Sequence, residues 1–356
     1  MRQPRQAKAL IRVEDERGEA LTLPSGSAYP TGSRIKVETG HYRASIATAG
    51  YVTGVAAGSF VDTKTGAHDL GFGLSIVDFL LEPADPGRTI PAGQYHFGPG
   101  DKVHGNIPKR YVEGPQICTQ AGRLTPRVFR GDGFAAIRTR YRWNVAYAPH
   151  PRAGSVWEQT LIFPEAERFF LSADRVTTVA ESPALFLRVD MPGHIKHRGG
   201  MGFHHVYLSY HDPSIIPSTE FIADFAPDER FLYRRGDRPL PERFIRAYQV
   251  TLPGGGDGPW LVGMTLNPDD VYQAWCHERG YVCLIEELGG RPTRPGDTFG
   301  ACYVIGWFDD LDSMHRTHDR FRGWSGLALE GTPEKPTGYK GLKKGDMTAV
   351  PMNGDE

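Results

Sequence analysis

The chain has 356 residues and a mass of 39.4 kDa, enough for one large domain or two ordinary ones. Lys+Arg number 41 against 42 Asp+Glu, for a net charge of -1 and a pI near 6.9, which argues against a nucleic-acid or anionic-lipid partner held by bulk charge. Apolar residues at 39% and charged residues at 23% supply a sizeable core and exclude a disordered chain.

From the N-terminus, Met1 to Leu10 is basic and polar, without the apolar stretch of a signal peptide. The compartment stays open: secreted or periplasmic if a leader has been removed, cytoplasmic otherwise. No apolar run approaches the roughly 20 residues of a membrane helix, and Leu74 to Leu81 is interrupted by Asp78. No membrane partner is expected. The 43 glycines and 28 prolines cut the chain into short segments rich in Val, Ile, Phe, Tyr and Thr, which predict strands and turns.

At least eleven strands are expected: 34–48, 74–81, 134–145, 155–163, 169–179, 184–191, 205–210, 243–252, 260–266, 281–287 and 299–308. Turn signals at Gly131-Asp132-Gly133, Pro164 to Glu167, Gly254 to Gly258 and Pro295-Gly296-Asp297 each suit a hairpin. Arg138, Arg140 and Arg142 alternate with Thr139 and Tyr141, the two-residue rhythm of an antiparallel meander. A helix is predicted where Asp309, Asp310 and Asp312 precede Leu311, Met314, His318 and Phe321 on one face, with Gly323 as its stop. A second helix is predicted over 268–276, with Asn267 as cap and Pro268 in the first turn. The expected fold is an all-β, large antiparallel sandwich with one or two short helices near the C-terminus. Residues 1–329 would form one domain and residues 330–356, rich in Lys, Gly, Pro and Glu, a loose extended tail. Cys118, Cys276, Cys283 and Cys302 are too widely spaced for a disulfide framework or a paired CxxC zinc site, and read as buried thiols.

The layout resembles the galactose-mutarotase-like supersandwich shared by aldose epimerases and by the β-domains of several polysaccharide lyases and glycoside hydrolases. The stretch Ser155-Val156-Trp157-Glu158-Gln159-Thr160-Leu161-Ile162-Phe163 carries that likeness, with the strand 168–178 and Pro295-Gly296-Asp297-Thr298-Phe299 before a closing strand. The resemblance covers the later two thirds of the chain and implies a carbohydrate-active protein.

Three polar clusters stand out. The first, 101–116, holds His104, Lys109, Arg110 and Tyr111 and has few apolar positions, so it reads as a functional loop or, equally, a solvated connector. In the second, His194, His197, His204, His205 and His211 are five of the thirteen histidines within eighteen residues, a density that suits a proton shuttle, an anion site or a metal. A divalent cation, Zn or Ca, would take His194, His197 and His205; the competing reading is imidazoles satisfying backbone groups around a glycine-rich bend. The third runs from Arg230 through Arg235 to Arg246, within a 101–250 segment carrying 21 Lys+Arg and 16 Asp+Glu. Arginine forks bind carboxylates, which suits an acidic glycan, and aromatic faces such as Trp157 and Tyr207 suit sugar rings.

These residue types point first to β-elimination on a uronate-containing polysaccharide. His104 would serve as base and Tyr111 as acid, with His197 and Arg198 neutralising the carboxylate and Lys109, Arg110, Trp157, Glu158, Tyr207 and Arg235 binding the sugars. The alternatives are a glycoside hydrolase drawing on Glu113, Glu158, Asp190, Glu286 or Glu287, a sugar epimerase, and a non-catalytic carbohydrate-binding module.

Overall fold

The computed structural model describes residues 10–51, 53–84, 109–197, 202–225, 229–252, 254–278 and 280–350. Its strands form two large antiparallel sheets with smaller ones beside them. The back sheet has nine strands, in the order Ile215–Pro217, Phe203–Leu208, Phe244–Thr251, Asp257–Thr265, Thr298–Phe308, Phe169–Thr177, Val156–Pro164, Phe134–Arg142 and Arg127–Gly131. The front sheet runs Val145–Ala146, Lys109–Gly114, Gly73–Pro83, Ser182–Lys196, Tyr281–Thr293, Val271–Glu278 and Tyr233–Arg234, with Val55–Ala56 also paired to Gly73–Pro83. A five-stranded sheet holds Ala20–Leu21, Ile11–Glu14, Arg34–Glu38, Tyr42–Ile46 and Val61–Asp62.

The all-β sandwich expected from the sequence is the observed architecture. Alternation decides which side chains fill its interior. Val77, Leu80, Leu187, Val189 and Leu284 from the front sheet meet Leu161, Phe163, Phe170, Val176 and Ile305 from the back sheet in one apolar core. The sheets approach closely where Gly263 faces Pro192, since a Cβ at Gly263 would lie 2.9 Å from the Pro192 nitrogen. A second apolar layer, with Phe134, Ile162, Leu171 and Val304, lies on the outer side of the back sheet. It is covered by the α-helix Leu311–Arg320, through Met314, and by the hairpin Gly326–Gly331/Pro336–Leu342, through Leu327.

Local chemistry explains most element ends. Asp132 and Gly133 form a two-residue hairpin loop, with Gly133 at φ +71° where a side chain would be strained. The helix begins at Asp310, whose carboxylate accepts from the Ser313 amide at 2.7 Å. All four cysteines are buried free thiols.

Three local readings are corrected. The expected helix over 268–276 is a short 3-10 turn, Pro268–Asp270, followed by the strand Val271–Glu278. Asn267 caps that turn as anticipated, but pairing with Tyr281–Thr293 imposes a two-residue alternation on the residues after it. Pro295-Gly296-Asp297 does not close a hairpin: it carries the chain from the front sheet to the back sheet. The stretch beyond Leu329 is extended but not loose, because Pro336–Leu342 pairs with Gly326–Gly331 and Val350 is fully buried.

Candidate functional site

The outer side of the front sheet carries a cavity of about 540 Å³. Along Ser182–Lys196 the side chains of Leu187 and Val189 enter the core, so Arg188 and Asp190 face outward into the cavity. The same alternation, with Met191 and Ile195 in the core, puts His194 on the cavity side opposite Cys283 of the neighbouring strand, the register slipping by two residues between Asp190 and His194. Asp78 reaches the cavity from Gly73–Pro83, His277 from Val271–Glu278 and Tyr111 from Lys109–Gly114. Tyr51, Phe72, Phe79, Tyr147 and Tyr281 supply aromatic walls, with Tyr111 packed on Phe79 at 5.0 Å and on Tyr147 at 5.4 Å between ring centroids.

Two carboxyl groups dominate the electrostatics. Asp78 accepts from Gln116 Nε2 at 2.7 Å and from Cys118 Sγ at 3.0 Å, yet burial outweighs these bonds and holds its pKa above the usual aspartate range. Asp190 is pushed well above that range by burial and then by the charge of Asp78, against the pull of Arg188 and Arg246. His194 Nε2 lies 3.2 Å from Asp190 Oδ2, and its Nδ1 has no hydrogen-bond partner among the described residues. Burial, then His277 and Lys196, lower the His194 pKa to about 3, so this imidazole is neutral at pH 7. The cavity therefore holds two carboxyls that resist ionisation beside a neutral histidine. Its cation is already matched, since Arg188 Nη2 donates to Glu287 Oε1 at 2.8 Å.

Glu287 organises the sheet beside the cavity. Lys109 Nζ donates to both its oxygens at 2.8 Å, and Gln273 Nε2 donates to Oε2 at 2.7 Å. Lys109 also lies 4.1 Å from the Trp275 ring centroid, and burial followed by the repulsion of Arg188 lowers its pKa to about 7 despite Glu287.

The residues singled out in the sequence disperse. Tyr111 and His194 line the cavity. His104 and Arg198 lie outside the described residues. His197 faces Glu278, with Nε2 3.1 Å from Oε1, and packs on Phe203. Lys109 is buried on Glu287, and Arg110 pairs with Glu82. His205 and Tyr207 belong to the back sheet, bonded to Gln249 at 3.1 Å and to His315 at 2.8 Å. Arg235 donates to the carbonyls of Asp269, Val271, Gly289 and Gly290, a structural clamp on irregular backbone. Trp157 points into the core and donates to Asp174 at 3.0 Å, while its neighbour Glu158 points out of the back sheet to Arg140 and Arg175. His194, His197 and His205 thus have separate partners, and among the described residues no three His, Cys, Asp or Glu side chains converge as a metal-ligand set.

Asp78, Arg188, Asp190 and His277 were not placed together from the sequence. The signal for the first was present: an acid inside the apolar run 74–81 faces either an unpaired burial cost or a purpose.

No protein-family model matches the sequence, and neither does any curated protein. Among solved structures the chain is similar to a galactose mutarotase-like protein from Clostridium acetobutylicum, with 11% identity over 84% of this chain and 98% of that one and a TM-score of 0.43. It is also similar to a putative aldose 1-epimerase from Escherichia coli K12, with 7% identity over 79% of this chain and 98% of that one and a TM-score of 0.38. An α-mannosidase from Enterococcus faecalis V583 matches 92% of this chain at 9% identity and a TM-score of 0.45, the match covering 43% of that protein.

Proposed function

We propose that the chain is a carbohydrate-active enzyme of the epimerase or hydrolase type, acting by general acid–base chemistry at the anomeric centre of a neutral sugar held in the front-sheet cavity. The observation that carries this reading is the meeting of Asp78, Asp190 and His194 in one aromatic-walled cavity. Two nearby carboxyls that both resist ionisation share a proton readily: the protonated one donates to a ring or glycosidic oxygen while the other accepts. Tyrosine and phenylalanine walls present faces to the apolar side of a sugar ring. Neutrality of the substrate follows from charge, because Arg188 is already matched by Glu287 and two acids face the ligand.

β-Elimination on a uronate remains a second reading, supported by the position of Tyr111 on the cavity wall. It requires a cation to hold the substrate carboxylate, and Lys109 and Arg110 both have carboxylate partners of their own.

The test is a panel of neutral aldoses, neutral oligosaccharides and polyuronates. Products are followed by anomeric proton resonances, new reducing ends and the ultraviolet absorbance of unsaturated uronates. Anomer exchange or cleavage of a neutral sugar is expected, with Asp78→Asn and Asp190→Asn each lowering kcat by about 10²- to 10⁴-fold at unchanged circular dichroism. Turnover indifferent to both substitutions, or confined to polyuronates with unsaturated products, refutes the proposal.

A further inference from the structure

The outer side of the back sheet has a second chemically distinct region. Its apolar half is covered by the C-terminal helix and hairpin. The other half, at the ends of Phe134–Arg142 and Arg127–Gly131, carries guanidinium groups. Arg138, Arg140 and Arg142 alternate outward on one strand, Arg127 stands directly opposite Arg138, and Glu158 stands between Arg140 and Arg175 in the cross-strand row. Five arginines and one carboxylate thus share this face, with Arg138, Arg140 and Arg175 grouped around Glu158.

That carboxylate is fully engaged. Arg140 Nε takes one oxygen of Glu158 at 2.6 Å and Arg175 Nη2 takes the other at 2.6 Å, while Arg138 stays 3.8 Å away. Arg138 keeps a buried Nε without a hydrogen-bond partner among the described residues. Burial lowers its pKa first, against the pull of Glu158, with Arg140, Arg175 and Arg127 adding to the lowering; five arginines to one carboxylate make the face cationic. Arg127 and Arg142 are exposed, and the Arg140 side chain is 37% exposed, so the surplus charge reaches solvent.

We propose that this arginine face binds an acidic polysaccharide, with Glu158 acting as the internal anchor that holds Arg140 and Arg175 upright and leaves the other guanidiniums for the ligand. Outward residues on one strand repeat about every 6.7 Å and adjacent strands about every 4.8 Å, a flat grid of planar forks suited to successive carboxylates or sulfates. A glycan is the occupant favoured over nucleic acid. Of the aromatics on these strands, Trp157, Phe163 and Tyr141 face the core, while Phe129, with the Arg138 guanidinium 5.3 Å from its ring centroid, and Phe134 lie on the outer side but are buried, so bases would have no exposed stacking platform. The chain's net charge of -1 also supplies no wider field for a duplex. This surface lies on the opposite sheet from the cavity and stands or falls independently of the cavity's chemistry.

The full chain is run in affinity electrophoresis through gels containing polygalacturonate, dextran sulfate or neutral dextran, and separately titrated with single-stranded and duplex DNA. Retardation by the two acidic glycans and not by neutral dextran is expected, weakening as salt rises. Arg127→Ala/Arg142→Ala, two exposed positions outside the Glu158 pairs, should weaken glycan binding at least about tenfold with unchanged thermal stability, whereas Asp190→Asn should bind like the unmodified chain. No retardation at low salt, equal binding by the double variant, loss of binding in Asp190→Asn, or DNA binding tighter than glycan binding each overturns the assignment.

Discussion

Trp157 and Glu158 are adjacent in sequence and do unrelated work, because neighbouring residues of a strand face opposite sides of the sheet. The inward member joins a buried polar set: Trp157 Nε1 and Gln159 Nε2 both donate to Asp174 Oδ1, at 3.0 and 3.1 Å. Burial exceeds the effect of these two donors and raises the Asp174 pKa to about 7. The folded state therefore holds this proton more tightly than the unfolded chain does. Stability from this group is fully present below about pH 4 and is lost as pH rises toward 7. Across that window the chain should lose stability relative to Asp174→Asn by roughly 1 kcal/mol per pH unit, read as the difference between their urea unfolding free energies. A difference that stays flat from pH 4 to 7 would show that Asp174 is ionised throughout.

Among the elements, the helix Leu311–Arg320 and the strand Val271–Glu278 show when local signals prevail. The helix has a side-chain cap, an apolar stripe through Met314, and a sheet face waiting beneath it, so local and tertiary preferences agree. Asp310→Ala removes the cap and should cost about 1 kcal/mol, measurable as a lowered denaturation midpoint, with Asp310→Ser close to neutral. An equal loss in both variants would mean that charge at the helix start, not the capping bond, is what matters. The segment after Asn267 begins with the same kind of start signal yet continues as a strand. There the neighbouring strand Tyr281–Thr293 offers a full hydrogen-bond ladder, and Trp275 and Cys276 fall on opposite faces of it.

At the scale of the whole molecule, the two sheets are joined by polar struts as well as by apolar packing. Arg246 rises from the back sheet, fully buried, and donates to the front-sheet carbonyls of Ile285 at 2.6 Å and Trp275 at 2.7 Å. Thr265 of the back sheet donates to Glu286 of the front sheet at 2.6 Å, and Ser75 meets Ser172 at 2.9 Å. Arg246→Met retains volume but leaves the two buried carbonyls of Ile285 and Trp275 without their donor, so a loss of about 3 kcal/mol or more is expected from equilibrium denaturation. Because Trp275 and Ile285 belong to the strands beneath the cavity, this variant should also perturb the activity proposed for that cavity. Unaltered stability would mean that the interior polar layer is dispensable.

Periodicity, turn residues and composition are local quantities, and they determined the all-β class, most strand positions, the C-terminal helix and the alternating arginines of Phe134–Arg142. What they could not determine was which strands become neighbours, since pairing joins residues more than a hundred positions apart, as with Asp174 and Ala301 or Lys109 and Glu287. For that reason the histidine-rich bend, a cluster along the chain, separates into His194 at the cavity, His197 on Glu278 and His205 on the other sheet. By the same logic Asp78, Arg188, Asp190 and His277, scattered along the chain, converge only when Gly73–Pro83, Ser182–Lys196, Tyr281–Thr293 and Val271–Glu278 lie side by side in that order. A sheet turns sequence distance into spatial adjacency through its strand order, and that order is fixed by the burial of whole faces, which no single segment encodes.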